Sequence, residues 1–192
     1  EADLTKSLVH PYVPRFPRHI SYDLVLFGSW RRKGVYVGEK QIASPGSYPV
    51  AGFNFAPMYN LNYKFRFGIS LDGVYDGSAN VYTEDALVEY DAGSGSSRRK
   101  FLVPGIQHQL ALGLSGRAEY VMPFFTIGVG LGTNVLGRGD LRGLYQVFAL
   151  KINVTRSSFL HIGYNLQNFQ TPNYLMLGLG FRFNNKYPKV RH

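Results

Sequence analysis

The chain has 192 residues, a formal net charge of +9, 14 Tyr, 14 Phe, 22 Gly and no Cys. This length suits one domain, and the lack of Cys excludes disulfides, thiolate metal ligands and thiol nucleophiles. The basic residues form short clusters and no long tract, so we expect no nucleic-acid partner. The many aromatic and Gly residues favour β-structure, and no apolar run reaches the roughly 18 residues of a spanning helix.

Apolar side chains recur at every second position, which predicts strands. The clearest alternation runs from Tyr63 to Asp76. It is longer than the globular average of about 5–6 residues and long enough for a tilted transmembrane strand of about 9–11. In chain order, the eight predicted strands cover residues 19–30, 47–59, 63–76, 101–115, 119–133, 143–154, 158–169 and 174–183.

The predicted connections alternate in length. Those at 60–62, 116–117 and 155–157 are short, whereas those at 31–46 and 77–100 are long. An even strand number with this alternation is typical of bacterial outer-membrane barrels. We therefore predict an all-β fold, an eight-stranded antiparallel transmembrane β-barrel in the outer membrane of a Gram-negative bacterium, with both termini periplasmic. Residues 1–17 are expected to form a periplasmic arm, 18–184 the barrel and 185–192 a C-terminal tail.

In this barrel the alternate strand positions that carry polar side chains, here called the polar parity, point inward. The expected polar core comprises Lys64, Arg66, Asp72, Lys151, His161 and Arg182. Eight strands leave an interior that side chains fill, so we expect a closed barrel without a pore. Its buried cations need acidic partners, and Asp72 and Asp23 are the candidates. His161 is expected to be structural. The alternative is a soluble, lipocalin-like carrier with the apolar parity inside. The many Gly residues on the polar parity favour the membrane barrel instead, because small residues suit a crowded interior.

Basic clusters fall at the predicted outer strand ends or in the external loops. The candidates for contact with lipopolysaccharide are Arg31, Arg32, Arg98, Arg99 and Arg138. Arg binds phosphate directly, and lipopolysaccharide carries phosphates at this level. A generally solvated loop surface is the alternative.

The last predicted hairpin, HIGYNLQNFQTPNYLMLGLGFRF from His161 to Phe183, resembles that of the outer-membrane lipid A 3-O-deacylase, or acyloxyacyl hydrolase-like, family. The resemblance is strongest over residues 159–183 and weaker over 63–78. It implies an eight-stranded barrel that hydrolyses an ester of lipid A with a Ser-His-Glu set on its outer wall. The family's His-x-Ser lies near the top of the seventh strand, and its Glu lies on the last strand.

This chain departs from that pattern. The His-x-Ser motif falls on Asn168-Phe169-Gln170, with Asn168 on the lipid-facing parity, and no Asp or Glu follows Asp140. Asn cannot act as a general base and Gln is no nucleophile, so no catalytic residues are assigned. His108 lies on the lipid-facing parity of the predicted fourth strand. Such a polar group in hydrocarbon is a candidate functional residue, although an interface with another protein or an error in parity also explains it.

We expect no metal and no cofactor, because neither metal-ligand spacing nor a Gly-rich phosphate loop is present. The predicted function is a non-catalytic outer-membrane barrel, either a structural or accessory subunit of a larger outer-membrane protein complex or a barrel that contacts lipopolysaccharide. The alternatives are a lipid A deacylase with a non-standard site and the soluble carrier. The expected partners are outer-membrane lipid and lipopolysaccharide.

Overall fold

Eight antiparallel strands close into a barrel in the computed structural model of the protein. The structure describes residues 15–31, 34–37, 40–43, 47–79, 82–90, 97–102, 105–137, 143–169 and 171–187. The barrel strands are β1 His19–Arg31, β4 Tyr48–Asn60, β5 Phe65–Asp76, β8 Leu110–Val121, β9 Phe125–Gly137, β10 Leu144–Asn153, β11 Ser158–Gln167 and β12 Thr171–Phe183. The other elements are β2 Gly34–Val37, β3 Lys40–Ala43, β6 Tyr82–Tyr90, β7 Ser97–Leu102 and a 3-10 turn at Ile106–His108.

The barrel closes because β1 pairs with both β4 and β12. The strands follow the order β1, β12, β11, β10, β9, β8, β5, β4 around the wall. Strands β2 and β3 form one separate hairpin, and β6 and β7 form another. One end of the barrel carries the short connections 61–64, 122–124 and 154–157, together with the start of β1 and the end of β12. We call it the short-turn end, and the opposite end, with both separate hairpins, the hairpin end.

Apolar side chains cover the outside of the barrel. Leu26, Ile69 and Leu179, from three strands, are each more than half exposed, at 53%, 57% and 55%. Soluble monomers rarely expose apolar patches larger than a few hundred Å², whereas a transmembrane barrel combines such an exterior with a polar interior. The predicted all-β, eight-stranded antiparallel transmembrane barrel is therefore confirmed. In the described part of the chain, no helix has the length and apolar character needed to cross a membrane.

The predicted turn at residues 116–117 was wrong. Strand β8 runs on to Val121, and the connection lies at 122–124. Arg117 and Glu119 both continue the inward parity and are buried, while Pro123, which cannot donate to a ladder, falls in the turn. The start of the predicted fourth strand was wrong as well. Residues 101–102 end β7, which pairs with β6 in a hairpin, and β8 begins at Leu110.

The barrel interior is filled by its own side chains. Towards the hairpin end the interior holds an apolar cluster, in which the rings of Phe27 and Tyr174 stack with centroids 6.2 Å apart; Asp76, Ser78 and Gln109 are buried there as well. The ring of Tyr145 occupies the space beside Gly113 and Gly132. A Cβ atom at either glycine would lie 2.5 Å from an atom of the Tyr145 side chain. The lack of a side chain at these two positions therefore lets an aromatic ring cross the narrow interior.

The outward wall can be tested with two charges on one strand. Leu177, near the middle of β12, and Phe183, at its end, both face outward and are about half exposed. We expect Leu177→Arg to lower the free energy of unfolding in a lipid bilayer by about 2–4 kcal/mol, and Phe183→Arg by about 0–1 kcal/mol, because the penalty falls towards the interface. Denaturant titration of the refolded barrels measures both. Equal losses would contradict a membrane-spanning wall.

Candidate functional site

Five charged side chains from five strands meet inside the barrel near the short-turn end. Asp23 accepts Arg66 Nη2 at 2.7 Å, Lys151 Nζ at 2.8 Å and Arg182 Nε at 3.0 Å. Glu119 accepts Arg66 Nε at 2.6 Å and Lys151 Nζ at 2.7 Å. All five side chains are buried. We call this set the charge cluster.

The charge cluster is a structural cross-link. Each of its three cations contacts a carboxylate, and Lys151 and Arg182 also lie over the ring of Phe159, at 5.0 and 5.2 Å from its centroid. Removing one partner from such a buried set is strongly destabilising, because a charge is left uncompensated. The cluster therefore ties together the strands that contribute to it and leaves neither carboxylate free to act as a base.

A second polar group is centred on Asp72. Its two carboxylate oxygens accept hydrogen bonds of 2.6–2.7 Å from Asn54 Nδ2, Ser70 Oγ, Ser115 Oγ, Arg117 Nη2 and Tyr145 OH. Five donors exceed the four lone-pair sites that a carboxylate ordinarily offers. Asp72 is thus saturated, and its role is to satisfy polar groups from β4, β5, β8 and β10.

His161 is buried in the same interior. Only 1% of the residue is exposed, and neither ring nitrogen has a hydrogen-bond partner among the described residues. A Cβ atom at Gly163 would lie 2.7 Å from both His161 Nε2 and Met176 Cε, so the ring packs against Met176. A general base needs its proton donor within hydrogen-bond reach. The surroundings of His161 supply no such donor.

Lys64 corrects the expected polar core. It is exposed in the connection 61–64 and does not point into the barrel. Asn62 Oδ1 accepts the backbone N–H groups of Lys64 and Phe65, both at 2.8 Å. This local turn delays the start of β5 to Phe65, so the predicted parity holds for Arg66 and fails for Lys64.

Two core residues were missed from the sequence. Arg117 was assigned to a turn and Glu119 to the start of the fifth predicted strand, although both point inward from β8. The unbroken alternation from Leu110 to Tyr120, followed by Pro123, is the signal that could have identified them.

The positions equivalent to the family's His-x-Ser lie at the hairpin end, after β11. Asn168 is in the turn, with a φ of 49°, and not on the lipid-facing strand as predicted. The register between β11 and β12 shifts at Asn165/Leu166, so the parity read from β11 does not extend to Asn168. Its backbone N–H donates to Leu144 O at 2.9 Å. Gln170 lies outside the described residues.

Gln146 fixes this turn from β10. It shares the outward parity of Phe148 but is only 3% exposed. Its Oε1 accepts the backbone N–H of Phe169 at 2.8 Å, and Phe169, like Asn168, has a positive φ. We call this contact the Gln146 clamp. A structural amide therefore lies on the wall where the resemblance places catalytic groups.

The outward faces of the eight barrel strands, as far as their side chains are described, carry no His, Asp or Glu. His108 is also not on that wall, contrary to prediction: it is half-buried in the 3-10 turn before β8. Within the described ranges, no cluster of three or more His, Asp or Glu side chains could hold a metal ion. The outer wall described here thus contains no nucleophile–base–acid set.

The basic candidates lie at the hairpin end where they are described. Arg31 is the last residue of β1, and Arg98 and Arg99 lie on β7, paired with Glu89 and Val88 of β6. Arg32 and Arg138 fall outside the described residues.

Two neighbouring cations test the charge cluster. Arg66→Gln is expected to lower the free energy of unfolding by about 3–5 kcal/mol, because Asp23 and Glu119 lose a buried partner. The exposed Lys64 is the matched control, and Lys64→Gln should change stability by no more than about 0.5 kcal/mol. Urea titration of both variants in detergent micelles measures the difference. Similar effects would contradict the placement of Lys64 outside the interior.

Comparison with known proteins gives three results. A search of curated proteins returns no significant match. Among solved structures, Ail of Yersinia pestis is 14% identical, with TM-scores of 0.44 alone and 0.41 in complex with the heparin analogue sucrose octasulfate; the match covers 85% of this chain and 98% of Ail. Neisserial surface protein A is also 14% identical, with a TM-score of 0.37 and coverage of 85% of this chain and 95% of that protein. Similarity at this level carries no functional argument.

The family described as acyloxyacyl hydrolase, C-terminal domain, matches residues 20–185, most of the 192 residues, and the chain therefore belongs to that family.

Proposed function

We propose that this member of the acyloxyacyl hydrolase family is a non-catalytic barrel of the bacterial outer membrane that contacts lipopolysaccharide through its hairpin end. The observation that carries the proposal is the Gln146 clamp on an outward wall whose described residues include no His, Asp or Glu. Ester hydrolysis by a family-type set needs a nucleophile, a base within hydrogen-bond reach and an orienting acid.

Among the described interior residues, Asp72, the charge cluster and His161 offer no replacement site. Asp72 is saturated by five donors, and the carboxylates of the charge cluster are held by three cations. His161 has no nucleophile within hydrogen-bond reach. The filled interior also disfavours a carrier, since a carrier barrel must hold its ligand inside. The described residues thus support the non-catalytic barrel over both alternative functions.

Location in the outer membrane is supported by the apolar exterior and by family membership. In barrels of this kind the short turns are periplasmic and the longer loops external. The hairpin end would then face outward, with the termini in the periplasm. Arg31, Arg98 and Arg99 belong to that end, where guanidinium groups could pair with the phosphates of lipopolysaccharide. The proposal includes a structural or accessory role beside a larger outer-membrane protein, since the same apolar wall could meet protein as well as lipid.

The absence of hydrolysis is tested directly. We expect purified barrel incubated with lipopolysaccharide to release no more 3-hydroxy fatty acid than lipopolysaccharide alone, as measured by mass spectrometry. Protein purified unfolded and then refolded serves as the control for a contaminating hydrolase. Fatty acid release that survives this treatment would overturn the proposal and establish a deacylase with a non-standard site.

Contact with lipopolysaccharide is tested by replacing Arg31, Arg32, Arg98, Arg99 and Arg138 together by Gln. A basic residue near an anionic lipid surface contributes about 1 kcal/mol, and salt reduces this contribution. We therefore expect the dissociation constant for lipopolysaccharide to rise by about tenfold or more, a change of about 1.4 kcal/mol. Titration of detergent-solubilised protein with labelled lipopolysaccharide measures it. An unchanged constant would exclude these residues as the contact.

A further inference from the structure

Four aromatic rings meet at the short-turn end. Phe16 lies 4.8 Å from Tyr63, 5.0 Å from Tyr187 and 5.7 Å from His19, between ring centroids. His19 and Tyr187 are 6.1 Å apart. Burial raises the pKa of the Tyr187 hydroxyl above its usual value. The rings thus join the segment before β1, the connection 61–64 and the segment after β12 into one aromatic hub.

Hydrogen bonds add a fourth segment to this hub. Arg156 Nη2, from the connection 154–157, donates to Asn185 O at 3.0 Å and to Tyr187 O at 3.2 Å. Asn185 Nδ2 donates back to Arg156 O at 2.8 Å, and the backbone N–H of Lys186 donates to His19 Nε2 at 3.2 Å. Segments that are far apart in the sequence are therefore held side by side across this end.

Each of the four segments presents exposed basic side chains. The five residues, which we call the basic collar, are Arg15, Arg18, Lys64, Arg156 and Lys186. In the described segments beyond the strand ends on this side, no Asp or Glu occurs. The nearest interior acids, Asp23 and Glu119, are buried and already bound by three cations. The collar thus carries positive charge without a compensating acid among these segments.

An aromatic girdle lies next to the basic collar, on its side towards the hairpin end. Outward-facing rings at this end belong to Tyr59, Phe65, Tyr120, Phe124, Phe125 and Phe183. The rings of Phe65 and Tyr120 meet edge to face at 5.0 Å. Aromatic girdles mark the boundary between hydrocarbon and headgroups in transmembrane barrels. The collar, on the water side of this girdle, therefore lies at the depth of the lipid headgroups.

We propose that the basic collar binds the phosphates of anionic phospholipids in the leaflet at the short-turn end. Guanidinium and ammonium groups donate charge-assisted hydrogen bonds to phosphate oxygens. A free phosphate offers the same chemistry, but the girdle holds the collar beside a surface on which headgroup phosphates are concentrated. The inference uses the proposed function only to identify that leaflet as the periplasmic one. The surface is distinct from the hairpin-end arginines.

The test uses the full chain in non-ionic detergent micelles, with bound lipid measured by native mass spectrometry. Wild-type protein should prefer phosphatidylglycerol over phosphatidylcholine of the same chain length. Replacing all five collar residues by Gln should weaken phosphatidylglycerol binding about tenfold or more, since one basic residue near such a lipid contributes about fivefold before screening. Since Arg31, Arg32, Arg98, Arg99 and Arg138 are themselves proposed phosphate contacts at the other end, the comparison is repeated in a variant in which all five are Gln, and replacing the collar should still weaken binding about tenfold there. No further loss in that background, or no lipid preference in the wild type, would overturn the proposal.

Two further variants separate charge from folding. Arg156 also holds the tail carbonyls, so a second variant keeps Arg156 and replaces only Arg15, Arg18, Lys64 and Lys186; it should still lose most of the binding. A third changes Arg15, Arg18 and Arg156 to Lys, retains the charge, and should bind within a few fold of wild type. Loss in the third without loss in the second would assign the effect to the tail contacts and overturn the proposal.

Competition between inorganic phosphate and phosphatidylglycerol decides whether the collar binds a free phosphate or a lipid headgroup. Inorganic phosphate in large excess over lipid should not displace phosphatidylglycerol from the wild-type barrel. Displacement at equal concentrations would indicate a site for free anions and overturn the lipid assignment. Unchanged lipid affinity in the five-Gln collar variant, together with loss of a co-purifying protein, would assign the collar to a protein partner and also overturn it.

The orientation has a separate readout. The chain has no Cys, so Ser157→Cys places a single thiol in the exposed connection 154–157. A membrane-impermeant maleimide should label it only after the outer membrane is permeabilised. Labelling on intact cells would overturn the periplasmic assignment of the collar. Lipid binding in micelles and fatty acid release are measured independently, so failure of the collar proposal is distinguishable from failure of the proposed function.

Discussion

The structure depends on the neutralisation of three cations inside a barrel too narrow to hydrate them. Asp23 alone accepts hydrogen bonds from Arg66, Lys151 and Arg182, and Glu119 shares two of these three partners. Burying such charges without partners would cost more than a typical domain can tolerate. The interior positions are therefore fixed as a set, and the apolar wall can face lipid because the charges of this cluster are turned inward and paired.

The period-two pattern was sufficient to predict the number of barrel strands and most of the outward wall, because side-chain direction in a strand follows directly from sequence position, but it misplaced the bounds of β8 and the start of β9. It failed where a local hydrogen bond resets the start of a strand, as Asn62 does before Phe65. It also failed after the shift at Asn165/Leu166, which moved Asn168 off the predicted face. The partners of Asp72 could not be predicted, since Ser115 and Tyr145 are 43 and 73 residues away in the chain and no local pattern encodes such pairings.

Family membership does not by itself fix the chemistry of this chain. The family match spans the barrel, yet the wall that the resemblance associates with hydrolysis carries a Gln amide that caps a backbone N–H. Fold and catalytic site are retained under different constraints, because packing depends on the whole interior whereas catalysis depends on a few outward groups. The two ends of the barrel also differ in their described side chains: an apolar cluster lies towards the hairpin end, and the aromatic hub and basic collar lie at the short-turn end.

Because β1 pairs with β12, the ion pair between Asp23 and Arg182 in the charge cluster is complete only when the barrel is closed. Asp23 and Arg182 are separated by 159 residues, so their contact forms only when the first and last strands meet. Until that seam closes, a partly assembled sheet leaves Arg182 without its carboxylate and Asp23 with one cation fewer. Contacts of such long range also make formation slow. Open half-barrels are consequently penalised by electrostatics as well as by their unpaired edges, and insertion is favoured as a single cooperative event.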